Sequence, residues 1–199
     1  MLILPRGCAM MARIVFLFLV IICLMNPAAA HAALGGRVAL YSDAGLSECT
    51  LTDTSPRVAD VYVVHSPVAY GAVGIMFKLA PSAGFDGTWI EDIFPPGMGG
   101  VGTSPSGIAV GSLSCWFNDR LVLHVRYQMQ GASSSCSFVE AVPYPGFSWI
   151  ITTTCGEGCE LPVDGSRLLV NADESCPCEP PPLASESTTW GRIKAMYRN

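Results

Sequence analysis

Between residues 37 and 171 the apolar residues fall into nine short runs bounded by Gly, Pro or small polar residues, and none carries a sustained helical repeat. The runs are Arg37–Tyr41, Val58–His65, Ala72–Leu79, Thr88–Phe94, Gly107–Phe117, Arg120–Met129, Cys136–Val142, Ser148–Thr153 and Ser166–Asn171. In the clearest of them Leu121, Leu123, Val125 and Tyr127 alternate with Val122, His124 and Arg126, the period of a strand with one buried face. Gly and Pro supply 32 of the 167 residues after residue 32, well above the roughly 12% of average proteins, and such punctuation suits many short strands. A parallel sheet needs helices between its strands, and no 3.6-residue pattern occurs before residue 185. The pattern therefore predicts an all-β fold, a two-sheet antiparallel β-sandwich. Asn118-Asp119 and the segment Gly131 to Ser135 predict that the runs ending at Phe117, Met129 and Val142 form a three-stranded meander. Glycine-rich Pro95 to Gly102 lacks the Lys-Ser/Thr ending of a phosphate loop and reads as a long connection between sheets.

The two ends differ from this body. Residues 1–32 have the order of a cleavable signal peptide: Arg13, the apolar run Ile14 to Met25, the breaker Asn26-Pro27 and the small-residue site Ala30-His31-Ala32. Twelve apolar residues are too few to span a bilayer. Cys23 follows Ile22 inside the apolar run, which is not the setting of a lipidation site. No second apolar run of membrane length follows, so the expected address is secreted, periplasmic or cell-surface, with no membrane span after cleavage. The whole-chain hydrophobic fraction of 50% and mean hydropathy of +0.41 are inflated by this segment. Without it the net charge moves from −5 to −7, and Lys78 and Lys194 are the only lysines. An acidic, lysine-poor chain has no basic surface for a phosphate backbone, which excludes nucleic-acid binding. The sandwich domain is expected over 33–178 and a Pro-rich linker over 179–188. A short amphipathic C-terminal helix or tail over 189–199 would place Trp190, Ile193 and Tyr197 on one stripe beside Arg192, Lys194 and Arg198, as candidates for a tail interaction.

Seven cysteines follow the signal: Cys49, Cys115, Cys136, Cys155, Cys159, Cys176 and Cys178. In an exported chain all seven are disulfide candidates, and an odd count leaves one free or available to another chain. The meander would hold Cys115 and Cys136 at opposite ends of a strand, too far apart to bridge. Cys176-Pro177-Cys178 is a stiff self-pair, so its two sulfurs should reach separate partners. Cys155-x3-Cys159 with Cys176-x-Cys178 offers four thiolates, but structural zinc pairs usually have two-residue gaps, so no metal and no cofactor is assigned.

Catalytic signals are sparse. His65 and His124 lack ligands at metal spacing, Gly111-Ser112-Leu113-Ser114-Cys115 lacks the last glycine of a nucleophile elbow, and no calcium loop occurs. Glu91 and Glu140 are the one carboxylate pair that a small sandwich hydrolase acting on polysaccharide could use, provided they face each other across a groove. Trp89, Trp116 and Trp149 lie in apolar runs and read as core or sheet-edge aromatics.

Two resemblances rest on particular residues. Val73 to Leu79, Trp89 to Ile93, Gly107 to Val110 and Leu121 to Tyr127 resemble the strand order of cohesin-type jelly-roll modules over about residues 58–142. This likeness implies a jelly-roll sandwich with a non-catalytic role in adhesion or scaffolding; an Ig-like sandwich is the alternative fold, and the expectation is a binding or structural module with a protein or carbohydrate partner outside the cytoplasm. Typical cohesins lack this cysteine set, so no dockerin partner is carried over. The final Thr-Trp-Gly-x-Ile-Lys-x-x-Tyr-Arg resembles the terminus of uncharacterised exported bacterial proteins, a likeness that brings no activity with it; the separation of this motif from the body points to a docking or sorting element.

Overall fold

The computed structural model describes residues 35–156 and 158–178. The predicted signal, the linker and the tail bearing Trp190, Ile193 and Tyr197 lie outside the described residues. These form strands β1 (Arg37–Tyr41), β2 (Thr50–Leu51), β3 (Arg57–Ser66), β4 (Ala72–Pro81), β5 (Gly87–Ile93), β6 (Met98–Thr103), β7 (Gly107–Trp116), β8 (Arg120–Met129), β9 (Ser137–Val142), β10 (Ile150–Thr154), β11 (Glu160–Val163) and β12 (Arg167–Val170). One sheet has the order β1-β3-β8-β5; the other runs β11-β10-β4-β9-β12-β2, with β7 on β4 and β6 outside β7. The all-β sandwich predicted from the short alternating runs is the observed fold. Its core lies between the sheets, where Val61, Val63, Leu123, Val125 and Met129 of one meet Ile75, Phe77, Leu79, Ile108 and Val139 of the other.

β4 organises the second sheet. β9 pairs with it from Pro81↔Val139 to Lys78↔Val142, and β10 resumes on it at Met76↔Ile151. β9 and β10 are thus two halves of one strand, interrupted by residues 143–149. β12 pairs with β9 and β11 with β10, so the outer strand breaks at the same level, at 164–166.

Three sequence expectations are corrected. The meander does not form: β8 pairs with β3 and β5, whereas β7 pairs with β4 and β6 and β9 with β4 and β12. Short links can cross from one sheet to the other as readily as they can turn a hairpin, and local sequence does not distinguish the two. Pro95 to Gly102 is not simply a connection, because Met98–Thr103 is the edge strand β6. Glycine weakens a strand's own propensity, but the β6–β7 hairpin is imposed from outside. Its turn residue Ser104 donates its N–H to Asp92 Oδ2 (2.7 Å) and accepts the Leu79 N–H (2.8 Å). Gly102 has φ +94° and a Cβ there would sit 2.2 Å from the Gly107 carbonyl oxygen, so the turn requires glycine. Finally, Leu121 leaves the face of Leu123. Val63 pairs with Leu123 but Val64 with Leu121, so Val122 is an inserted residue that reverses the alternation. Leu121 packs instead with Ala39, Tyr41 and Val64 in a small second cluster.

Three disulfides join Cys49 to Cys178, Cys115 to Cys155 and Cys136 to Cys176, with Cα separations of 6.0, 5.8 and 5.9 Å; Cys159 is free and exposed. Every bridge staples strands of the larger sheet or the segments that flank them. Cys115 and Cys136 take different partners although the meander that was to separate them is absent, and Cys176 and Cys178 do reach separate ones. A polar clamp assists the bridges. Asp53, 2% exposed, accepts the N–H groups of Gly131 (2.9 Å) and Ser133 (3.0 Å), while Asn171 bonds to the Asp53 and Ser133 backbones. Burial pushes the Asp53 carboxyl upward, but the hydrogen bonds from Ser133 and Gly131 outweigh it and hold the group below its ordinary value. Asp53→Ala, which strands both donors, should cost roughly 2 kcal/mol, measured as a lowered urea midpoint with an unchanged slope.

Candidate functional site

The outer faces of the two sheets have opposite character. On β5, β8 and β3 the outward residues form a self-satisfied polar ladder. Glu91, Arg126 and Asp60 stand in one cross-strand row, and Arg126 reaches Glu91 at 2.9 Å and Asp60 at 3.6 Å. In the next row His124 Nε2 lies 2.7 Å from Asp60 Oδ1, and its ring stacks on Tyr62 with centroids 4.7 Å apart. Glu91, Arg126, Asp60 and His124 are thus paired among themselves.

The face of β10, β4, β7 and β6 carries almost no charge; Lys78 is the single charged residue in the four strands. Register places Ile151, Met76, Ala109 and Val101 in one row across the sheet, and Thr153, Gly74, Gly111 and Gly99 in a parallel row two residues away. Buried Thr152, Ile75 and Val110 lie between these rows, so both rows point outward. Val101 is 79% exposed, and Leu113, farther along β7, is fully exposed. Gly99 and Gly111 of this row, with Gly97, Val73, Met98, Ser112 and Leu113, line an open hollow of about 570 Å³.

Backbone geometry does not demand these glycines. Gly74, Gly99 and Gly111 have no left-handed φ; a Cβ at Gly99 meets nothing within 4 Å, and at Gly74 and Gly111 the nearest atoms are carbonyl oxygens at 3.4 and 3.3 Å. A side chain could be accommodated at each, although glycine costs strand stability. What the three share is a cross-strand row with no side chains on the outward face. Beyond it the insertion 143–149 exposes Phe147 and Trp149, with Tyr144 edge-on to Phe147 at 6.1 Å.

The residues singled out by sequence fall in separate places. Glu91 and Glu140, the pair proposed for a hydrolase, stand on the outer faces of different sheets, Glu91 bonded to Arg126 and Glu140 to Arg167, each at 2.9 Å. The hydrophobic core lies between them, so they cannot flank one glycosidic bond. His65 is fully buried; its Nε2 lies 3.3 Å from the Gly35 carbonyl oxygen and its Nδ1 accepts the Trp116 indole N–H at 3.3 Å. Burial pushes its pKa down to about 4. Trp116 is buried, Trp89 packs partly against the core, and Trp149 is 53% exposed, so the three tryptophans do not share one role. The zinc set does not assemble either, since Cys155, Cys176 and Cys178 are each bridged to a distant cysteine. Sequence reasoning missed the apolar face because it rests on Met98 to Thr103 being a strand; the signal was there in the absence of charge from Met98 to Ser114.

No protein-family model matches the sequence, and no curated protein matches it. Solved structures similar to it include cohesin modules. The cohesin module of a family 33 glycoside hydrolase from Clostridium perfringens aligns with a TM-score of 0.51 and 11% identity, over 70% of this chain and 99% of that one. The sixth cohesin of scaffoldin B from Acetivibrio cellulolyticus, in complex with a dockerin, aligns at 0.45 and 12% over 70% and 99% of the two chains. The third ScaB cohesin of R. flavefaciens, also in a dockerin complex, aligns at 0.48 and 7% over 70% and 96%. The fold is therefore a cohesin-like β-sandwich, which by itself assigns no activity.

Proposed function

We propose that the protein is an exported, non-catalytic binding module whose sandwich domain, residues 33–178, docks a partner protein on the face of β10, β4, β7 and β6. The observation that carries this reading is the contrast between the sheets: on one outer face Glu91, Arg126, Asp60 and His124 are paired among themselves, while the other presents an apolar surface, uncharged but for Lys78, whose hollow is lined by Gly99 and Gly111. A surface of this kind costs little to desolvate and admits a partner backbone closely. The partner that fits is one presenting a small-residue apolar ridge. Three bridges and a signal-like N-terminal segment support an oxidising compartment outside the cytoplasm, and the tail of 189–199 would be a separate docking or sorting element. Ala109→Arg puts a guanidinium at the centre of the apolar row without touching the core. Cross-linking in the producing cells' extracellular fraction should join the wild-type chain to a partner that the Ala109→Arg chain does not retain, with equal thermal midpoints for both. An identical cross-linked set would overturn the reading.

A further inference from the structure

The coincident strand breaks leave a second feature, away from the glycine trough. Residues 143–149 on one side and 164–166 on the other open a cleft of about 300 Å³, lined among others by Glu140, Pro143, Ser148, Trp149, Asp164 and Gly165. That volume is at the lower end of ligand sites, which run from about 300 Å³ upward.

We infer that this cleft is a saccharide-binding subsite that seats a neutral sugar unit against Trp149. The indole is 53% exposed yet precedes Ile150, which is buried at the start of β10, so the ring stands on an anchored strand end. An exposed indole offers an apolar plate for the C–H face of a sugar ring. The opposite wall is equally fixed. Asp164 donates its N–H to the Gly36 carbonyl (3.1 Å) and accepts the Val38 N–H (2.7 Å), which ties the break to β1 while the residue remains exposed. Gly165 lets this wall lie directly on β9; a Cβ there would be 2.1 Å from the Ala141 carbonyl oxygen. Sugar hydroxyls both donate and accept, and the cleft supplies both kinds of partner: the Asp164 and Glu140 carboxylates accept, and the Ser148 hydroxyl can donate or accept.

Charge separates this ligand from a cationic one. An aromatic ring with carboxylates could also receive an ammonium group, but Glu140 is already matched by Arg167 at 2.9 Å. Only Asp164 contributes net charge, and a polar, nearly balanced cleft suits a neutral sugar. The site is independent of the protein-docking face, since neither Ala109 nor the glycine row lines it.

Affinity electrophoresis of the 33–199 chain through gels containing hydroxyethylcellulose, mixed-linkage β-glucan, xylan, galactomannan or soluble starch tests the assignment. Expected is retardation by at least one of the five, weakened about tenfold or more by Trp149→Ala and by Asp164→Asn, and unchanged by Ala109→Arg. Both residues are exposed, so the variants should keep the wild-type circular dichroism and thermal midpoint; Asp164→Asn preserves shape should Trp149→Ala disturb the loop. Migration unaffected by all five polysaccharides overturns the assignment, as does retardation that Trp149→Ala leaves intact. Quenching of Trp149 fluorescence by tetralysine, lost in Asp164→Asn, would give the cleft to a cationic group and equally overturn it. Loss of the partner cross-link in Ala109→Arg with sugar retardation preserved would show the two sites to be separate.

Discussion

Removing the bridge between Cys49 and Cys178, as Cys49→Ala with Cys178→Ser, is expected to lower unfolding stability by about 5 kcal/mol. The two residues are 129 apart in sequence and 6.0 Å apart in Cα position. By chain entropy a bridge restricts the unfolded chain in proportion to the logarithm of the loop it closes, about 5 kcal/mol at this length. The other two bridges each span 40 residues and should contribute about 4 kcal/mol by the same relation. The order has a structural meaning, because Cys49 and Cys178 tie the two-residue strand β2 and the segment beyond β12 to the sheet margin. Urea titration of the three double variants under non-reducing conditions measures it. Equal losses for all three would show that native-state contacts, and not loop length, set their worth. Cys159→Ser, at an exposed free thiol, should stay within about 0.5 kcal/mol of wild type.

The second large effect is a loss of stability on acidification that begins before any carboxylate titrates. His65 is fully buried, and burial lowers its pKa from 6.5 to about 4. Its contacts agree with a neutral ring: Nε2 donates to the Gly35 carbonyl, and Nδ1 must stay unprotonated to accept the Trp116 N–H. The sign follows from proton counting. Below pH 6.5 the unfolded chain binds a proton at this residue, while the folded chain does not until about pH 4, so stability falls across that interval and levels off below it. The slope is about 1.4 kcal/mol per pH unit and the full loss on the order of 3 kcal/mol.

Carboxylates act in a different window. Hydrogen bonds from Glu48 and Ser47 hold the Asp43 carboxyl low, and those from Ser135 and Ser175 bring Asp173 to about 2. Such groups stabilise the fold above the ordinary carboxylate value of 3.8, and that stabilisation disappears as pH falls toward their folded values. Stability measured at half-unit steps from pH 7 to 3 should therefore show the histidine slope first. His65→Gln, which keeps a donor and an acceptor but does not titrate, should flatten the segment between 6.5 and 4 whatever its absolute stability. A wild-type curve that is flat there would refute the assignment.

Much of the fold was legible because burial in a strand repeats every two residues and turns need particular residues. The nine runs between Arg37 and Asn171 all contain strands, and Leu123, Val125 and Tyr127 face the core as their alternation requires. Less of the candidate site was. Trp149 was visible as an aromatic in an apolar run, but its exposure depends on β9 and β10 being one strand interrupted by an insertion. Glu140 in β9 and Asp164 in the break between β11 and β12, 24 positions apart, line one cleft only because the outer strand breaks at the same level as its partners.

The division follows the range of the forces. Side-chain alternation, Gly and Pro punctuation, the charge balance and the number of cysteines are local or additive properties, so the sequence alone determined an acidic, turn-rich chain that must build two sheets. Which strands pair, which cysteines bridge, where Val122 reverses the alternation and whether Met98 to Thr103 is loop or strand depend on contacts between distant segments. Those contacts exist only after the sheets close on a common core, and it is their closure that left one outer face charged and paired, the other flat and apolar, and a cleft where two strands break together.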